Sequence, residues 1–306
     1  MFLLMAYFLG VFMNQYTIEP YFNLQISKPY HKKTLLDFLK SFNLANSKIN
    51  YLINNNNCFI NGEIANAETI LKINDYLSID ISHFETLDYI PNEFDLNIIY
   101  EDDYLLVINK PSGYIIYPET HDGNNTIANF IANYYHKNQL NLTIRHCHRL
   151  DKDTTGCLII AKDLITHSAM EHLFLKYEIK KTYWALVEGV VKEPGKVTYS
   201  IGKDRHTSGK MVITQNGKKA LTTYKPLSNK KNTSLLEVMI DTGRTHQIRL
   251  HLSTIGYPIV GDSLYGATTS SKVQLHCKSV SFVHPITKNK VYIEANLPND
   301  FKKLLN

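Results

Sequence analysis

The residues His148 to Gly156, HRLDKDTTG, constrain this chain more than any others. An unbroken apolar run, CLIIA (Cys157 to Ala161), follows them and has the length of a buried strand. A Thr-Thr-Gly step into a strand predicts a tight turn in which hydroxyls bond neighbouring backbone amides. Asp151 then sits on a loop mounted on a rigid strand, a common place for a reacting group. On composition alone the same string reads equally well as a solvated loop of alternating charge.

A second string, DTGRTHQIRLH (Asp241 to His251), follows LLEVMID (Leu235 to Asp241). In that run Leu236, Val238 and Ile240 alternate with other residues, a strand pattern. Gly243 permits a sharp turn. Thr245 to Ile255 then reads as a short helix, with Ile248, Leu252 and Ile255 on one face and Gly256 as its stop. Arg244 and Arg249 leave this turn and the first helical stretch together, a grouping suited to a carboxylate or a phosphate. The alternative is a solvated amphipathic helix start. In a third string, KKTYWALVEG (Lys180 to Gly189), Tyr183, Ala185 and Val187 alternate with Trp184 and Leu186, so it predicts a strand. With 20 tyrosines in the chain, Tyr183 taken alone is a core aromatic.

The three strings together, in this order, resemble the RluA-type RNA pseudouridine synthases. The likeness covers about residues 20 to 306 and extends to INKPSGYIIYPE (Ile108 to Glu119), GDSLYG (Gly261 to Gly266) and HPITKNKVYIEANLP (His284 to Pro298). HRLD with a following TTG, joined to GRTHQIR, is a highly specific pair. One departure is Tyr117, where the family more often has histidine before the proline; it lies outside the reacting positions.

The resemblance implies roles by position. Asp151, not Asp153, is the reacting carboxylate. Arg249 is the cation beside it, and Tyr183 stacks on the uracil with its hydroxyl near the reacting atoms. Ile248 packs on the target base, and Arg149 enters the RNA as the uridine flips out. His148 and Arg244 join the substrate-binding set. Pseudouridine formation detaches uracil from its sugar at N1 and rejoins it through C5. The atoms balance, so no redox cofactor is expected. Whether Asp151 attacks the sugar or the ring stays open. A carboxylate in a dry pocket tends to protonate, and a neighbouring guanidinium opposes this. Flipping is needed because a stacked base is out of reach, and it costs a few kcal/mol.

Ahead of the catalytic region, Thr34 to Phe42 and Ser47 to Asn55 read as two short amphipathic helices, followed by CFING and a strand ending DYLSIDI (Asp75 to Ile81). LINNNNCFING resembles the pattern of an S4 RNA-binding domain, with Asn56 in place of a glycine and Asn74 in place of a second. Asparagine is the non-glycine residue best suited to left-handed backbone, so both turns stay feasible. Lys28, Lys32, Lys33, Lys40 and Lys48 make the region basic; Lys32, Lys33 and Lys48, with Lys180 and Lys181, are the candidate RNA contacts. Lys203, Arg205 and Lys210 extend the set. Taken singly, each reads first as a solvated surface cation.

The expected organisation is a start-site extension at 1–13, an S4-like domain at 14–85, a linker at 86–96 around Pro91, and a catalytic domain at 97–306. The fold class is α+β: a large, mixed, mainly antiparallel bent sheet with flanking helices and a central cleft, preceded by the small S4-like domain. Helices are expected near Thr126 to Lys137 and Leu164 to Tyr177, with Met170, Leu173, Phe174 and Tyr177 at helical spacing.

Composition sets outer limits. A chain of 306 residues with 44% hydrophobic content supports a real core. A net charge of +5 is compatible with a polyanionic partner without proving one. Cys58, Cys147, Cys157 and Cys277 form no CxxC pair and read as free thiols in a reducing cytoplasm. His146 and His148 flank Cys147, but no second cluster has metal-site spacing, so no metal is expected. Met1 to Met13 is apolar, lacks a charged start, and is shorter than the roughly 20 residues a spanning helix needs. The favoured reading is a true start near Met13, with a membrane-associating tail as the minority one. The expected partner is structured RNA, ribosomal RNA of the large subunit ahead of transfer RNA, bound by a monomer away from any membrane. A non-catalytic RNA-binding or assembly factor would have no need of Asp151, Tyr183 and Arg249 together. A glycosidase would need a second acid at a set separation, and none beyond Asp153 is assigned.

Overall fold

The run after HRLDKD forms the buried centre of the molecule. In a computed structural model that describes residues 20–120, 123–269 and 271–305, every residue of the strand Thr155–Ala161 is buried. The expected Met1–Met13 extension, and the start of the expected 14–85 domain, lie outside the described residues.

Residues 20–85 form β1 (Tyr21–Gln25), α1 (Leu35–Lys40), α2 (Asn46–Asn54), β2 (Cys58–Ile60), β3 (Glu63–Ile64) and β4 (Tyr76–Asp80). The strands pair antiparallel in the order β1-β4-β2-β3. The Thr34 hydroxyl caps α1 by accepting from the Asp37 N–H at 3.1 Å. Leu35, Phe38, Leu39, Ile49 and Leu52 form the apolar sides of the two helices and are buried. Asn56 and Asn74 do adopt left-handed backbone, with φ of 57° and 71°.

The second sheet holds β5 (Ile98–Glu101), β6 (Leu105–Lys110), β7 (Arg145–His146), β8 (Thr155–Ala161), β9 (Lys180–Glu188), β10 (Gly195–Val197), β13 (Thr222–Lys230), β14 (Thr233–Ile240), β15 (Leu275–Val283) and β16 (Lys290–Glu294). β11 (Ile201–Lys203) and β12 (Met211–Ile213) make a separate hairpin. The helices are α3 (Ile127–Lys137), α4 (Leu164–Leu175), α5 (Gln247–Thr254) and α6 (Asn299–Leu305). The sheet runs β10-β13-β14-β9-β15-β8-β6-β5, and within it only β8 and β15 pair parallel among the described residues. This is the mixed, mainly antiparallel α+β architecture expected. α4 departs from its expected end. Met170 is buried, but Tyr177 lies past the helix, is 63% exposed, and has φ of 59°.

The two units share one apolar core. The Tyr30 hydroxyl donates to the Ile286 carbonyl at 2.7 Å, and the Tyr104 hydroxyl to the Asn23 carbonyl at 2.7 Å. Buried Glu85 pairs with Arg145 at 2.6 Å, tying the end of the first unit to the strand just before HRLD. Residues 86–97 carry no helix or strand and run along the catalytic unit, with the Asn92 N–H donating to the Asn129 carbonyl at 3.1 Å.

Gly156 explains why the central motif needs a glycine. It pairs with Cys277 across the parallel ladder at φ of +107°, and an added Cβ would run into the Cys277 backbone. Gly156→Ala is expected to destabilise the fold by about 3 kcal/mol or more. Chemical denaturation measures this; a loss below about 1 kcal/mol would mean that the two strands separate easily.

Candidate active site

Asp151 lies in the loop between β7 and β8. Its carbonyl accepts from the Thr154 N–H at 3.1 Å, so the turn falls at Asp151–Thr154, ahead of the expected Thr-Thr-Gly step; Thr155 and Gly156 already belong to β8, and the Thr155 hydroxyl meets Nδ1 of His276 at 2.8 Å instead of a neighbouring amide. A buried lysine fixes the rest of the loop. The ammonium of Lys110, 0% exposed at the end of β6, donates to the carbonyls of Pro111 (2.8 Å), Lys152 (2.9 Å) and Thr154 (3.0 Å). Burial pushes its pKa down to about 8, against the pull of Asp153 and Asp151.

Arg249 comes from the first turn of α5 and is 7% exposed. Its Nε and Nη2 donate to the two carboxylate oxygens of Asp262 at 2.7 and 2.8 Å. Asp262 is 1% exposed, so this is a buried, two-pronged ion pair. The third nitrogen, Nη1, stands 3.9 Å from Oδ2 of Asp151. Burial works against the guanidinium's charge, but Asp262 and Asp151 outweigh it and hold the group above its ordinary pKa. Among the described residues, no hydrogen bond ties down the Asp151 carboxylate. It feels the cation's field while its lone pairs stay free.

The turn before α5 is held by Gln247. Its amide donates to the Leu221 carbonyl at 2.9 Å and to the Thr222 hydroxyl at 3.1 Å. Its oxygen accepts from the Thr242 hydroxyl at 2.7 Å and the Arg244 N–H at 3.1 Å. Tyr265 lies under Arg249, with the guanidinium carbon 5.2 Å from the ring centre. The Tyr265 hydroxyl accepts from the Met211 N–H at 2.9 Å, joining the β11–β12 hairpin to the site.

Tyr183 rises from β9, is 4% exposed, and pairs across the sheet with Val238 and Cys277. Burial, and then Cys277, push its hydroxyl pKa well above the ordinary range, so it carries its proton at neutral pH. Asp151, Tyr183 and Arg249, each from a different string, line one narrow cleft of about 50 Å³ that is open to solvent. Arg149, Arg244, Ile248 and Lys181 also line it.

Other expected contacts lie elsewhere. His148 does not line this cleft. It is 9% exposed, its Nε2 accepts from the Ile159 N–H at 3.2 Å, and burial pushes its pKa well below the usual value. Lys180 lines a neighbouring groove. Lys33 and Lys48 stand over the rings of Tyr30 and Phe84, and Lys32 is exposed on the same unit. Tyr117 donates to the Ile144 carbonyl at 2.9 Å and meets Nδ1 of His146 at 2.8 Å, away from the cleft. Sequence reasoning assigned no role to Lys110, Asp262, Gln247 or Tyr265. The first two stood inside INKPSG and GDSLYG, where a lone lysine before proline and an aspartate after glycine were the available signals.

Breaking a buried pair leaves an uncompensated charge. Asp262→Asn is expected to cost about 3 kcal/mol of stability and at least tenfold in kcat, about 1.4 kcal/mol at the transition state, with KM for RNA little changed. Single-turnover kinetics beside a denaturation curve measure both; a wild-type kcat would show that Arg249 holds its place unaided.

For Lys110, a neutral amine has two hydrogens for three carbonyls, so kcat should fall with a midpoint near pH 8. The unfolded chain keeps this proton to about pH 10. Between about pH 8 and pH 10 the unfolded state therefore binds more protons, and this group's contribution to stability rises with pH. Activity and the Tm difference from Lys110→Met should thus move in opposite directions, and Lys110→Met should lack the alkaline limb. Parallel pH profiles for both proteins would refute the assignment.

Comparisons with known proteins agree with this geometry. Residues 104–254 match the RNA pseudouridylate synthase family. The uncharacterized RNA pseudouridine synthase YhcT of Bacillus subtilis is 37% identical over 250 residues, covering 80% of this chain and 83% of that protein. Ribosomal large subunit pseudouridine synthase D of Zymomonas mobilis is 32% identical over 252 residues, covering 76% of this chain and 79% of that one. The solved human RNA pseudouridylate synthase domain containing 4 aligns with a TM-score of 0.59 at 26% identity, covering 68% of this chain and 91% of that chain. Motifs, fold and relatives converge: the chain belongs to the RNA pseudouridine synthases and is an isomerase of that family.

Proposed function

We propose that this enzyme converts specific uridines of large-subunit ribosomal RNA to pseudouridine in the cytoplasm, acting as a monomer with Asp151 as its reacting carboxylate. The observation that carries the reading is the meeting of Asp151, Tyr183 and Arg249 in one cleft, with Arg249 anchored so that one nitrogen faces Asp151. Relatives named as ribosomal large subunit pseudouridine synthase D support the choice of RNA. The basic unit at residues 20–85, read as an S4-like domain, would add affinity through phosphate contacts, which position an RNA without reading its sequence.

In this reading the uridine leaves its stack and enters the cleft, and Arg149 fills the vacancy. Ile248 and Tyr183 hold the uracil between an apolar side chain and a ring. Asp151 supplies the electron pair that lets the N1–sugar bond break. The uracil turns, C5 bonds to the sugar as the carboxylate takes its electron pair back, the C5 proton passes to a base and then to solvent, and N1 takes up a proton. Tyr183, protonated at neutral pH, acts by stacking and hydrogen bonding and not as a phenolate. No redox partner enters the balance.

Pseudouridine mapping of ribosomal and transfer RNA with and without the gene identifies the substrate. On that RNA, labelled with tritium at uracil C5, Asp151→Asn should bind as well as wild type and release no tritium. Arg249→Ala should be nearly inactive. Asp153→Asn should keep most activity, since Asp153 does not line the cleft. An active Asp151→Asn beside a dead Asp153→Asn would shift the reacting position by two residues; three active variants would remove the site altogether.

A further inference from the structure

A second groove, of about 470 Å³, adjoins the uracil cleft and shares Arg149, Lys181, Ile240 and Gly243 with it. Its lining is apolar at Phe174, Ile179 and Met239, and Met239 is 48% exposed. Tyr177 stands at its rim, 63% exposed, on the left-handed turn that ends α4. That position usually takes glycine or asparagine. A large exposed aromatic there serves no packing purpose, and an outlier of this kind points to function.

Two polar groups of the groove lack a polar partner among the described residues. The His148 ring is neutral, and its Nε2 accepts from Ile159, so the proton sits on Nδ1. That buried donor has no acceptor among the described residues. Lys181 lies 5.3 Å from the centre of the Phe174 ring and makes no ion pair among the described residues. Arg149, Lys180 and Lys181 face one acidic lining residue, Asp241. Apolar walls with an excess of cations, opening from a cleft that takes a base, suit one ligand chemistry: another nucleotide of the same strand.

We propose that this groove holds the nucleotide next to the flipped uridine. Its base stacks against Tyr177, Phe174 and Met239, and the phosphate joining it to the target crosses between Arg149 and Lys181. The strand that delivers a uridine into the cleft has to pass these two cations, and the groove is what lies beyond them. The inference rests on the pseudouridine synthase reading of the cleft.

The probe is a synthetic stem-loop RNA spanning the mapped uridine, with 2-aminopurine placed on its 5′ or its 3′ side. It is titrated with Asp151→Asn protein, which binds without turnover. On one side only, binding should quench the fluorescence. Tyr177→Gly, which suits the left-handed turn, should abolish the quenching and weaken binding about tenfold. An abasic nucleotide on that side should cost the same, and the two losses should not add. Equal quenching with and without Tyr177 on both sides, or fully additive losses, would overturn the proposal. If wild type makes pseudouridine and neither neighbour senses Tyr177, the groove fails alone. If wild type makes none on any RNA, no uridine is mapped, and the reading of the cleft fails and takes the groove with it.

Discussion

The bidentate pair between Arg249 and Asp262 is the interaction on which the site depends. A guanidinium this far from water is costly unless its charge and donors are met. Asp262 meets the charge and takes two of the donors, at 2.7 and 2.8 Å. Because the fork is planar, satisfying one edge fixes where the remaining nitrogen points. That nitrogen lies 3.9 Å from Asp151. The separation is long for a hydrogen bond and short for a field effect. The cation therefore acts on Asp151 without occupying the oxygen that a substrate would need. Tyr265 below the guanidinium, and the Gln247 network in the turn above it, hold the fork in that pose.

Asp151 itself is positioned by backbone chemistry. Lys110 gathers three carbonyls from two loops around one ammonium, and Gly156 lets β8 come close enough to β15 for the parallel ladder to form. The two devices act on opposite sides of the same turn. One draws the loop down towards the end of β6, and the other sets the depth at which the strand leaves it. On the proposed function, a carboxylate held this way needs little rearrangement to reach its working geometry, the preorganisation that electrostatic catalysis needs.

How far the sequence discloses this depends on the length scale. Strands with clear alternation, such as Lys180–Glu188, and helices with a plain stop, such as the one before Gly256, were legible because their signals are local. So were the left-handed asparagines at 56 and 74. The end of α4 was not, because Tyr177 continues the helical spacing while the chain has already turned left-handed. Asp151, Tyr183 and Arg249 were found through motif resemblance, and spacing alone could not have joined them across nearly a hundred positions. Their supports were missed for the same reason. The partner of Arg249 lies thirteen residues on, past the end of its helix, and Lys110 reaches carbonyls more than forty residues away. Burial that turns a lysine or an aspartate into a fixed scaffold is a tertiary property that leaves no periodic trace.

The join between the two units has a functional consequence. Tyr30 to Ile286, Tyr104 to Asn23 and the buried Glu85–Arg145 pair bind the lysine-bearing unit to the catalytic one through shared core. Arg145 lies six residues before Asp151 on the strand that leads into HRLD, so the first unit is anchored close to the loop that carries Asp151. On the proposed function, Lys32, Lys33 and Lys48 then stand at a set distance from Asp151. Phosphate contacts at those lysines carry no base information. Held at fixed range from a cleft that accepts any uridine, they would select by the path of the RNA backbone, admitting a uridine only where the fold of the RNA spans that distance. Discrimination among chemically identical uridines would then come from shape, which is how a single carboxylate without base-specific readers could act on few sites.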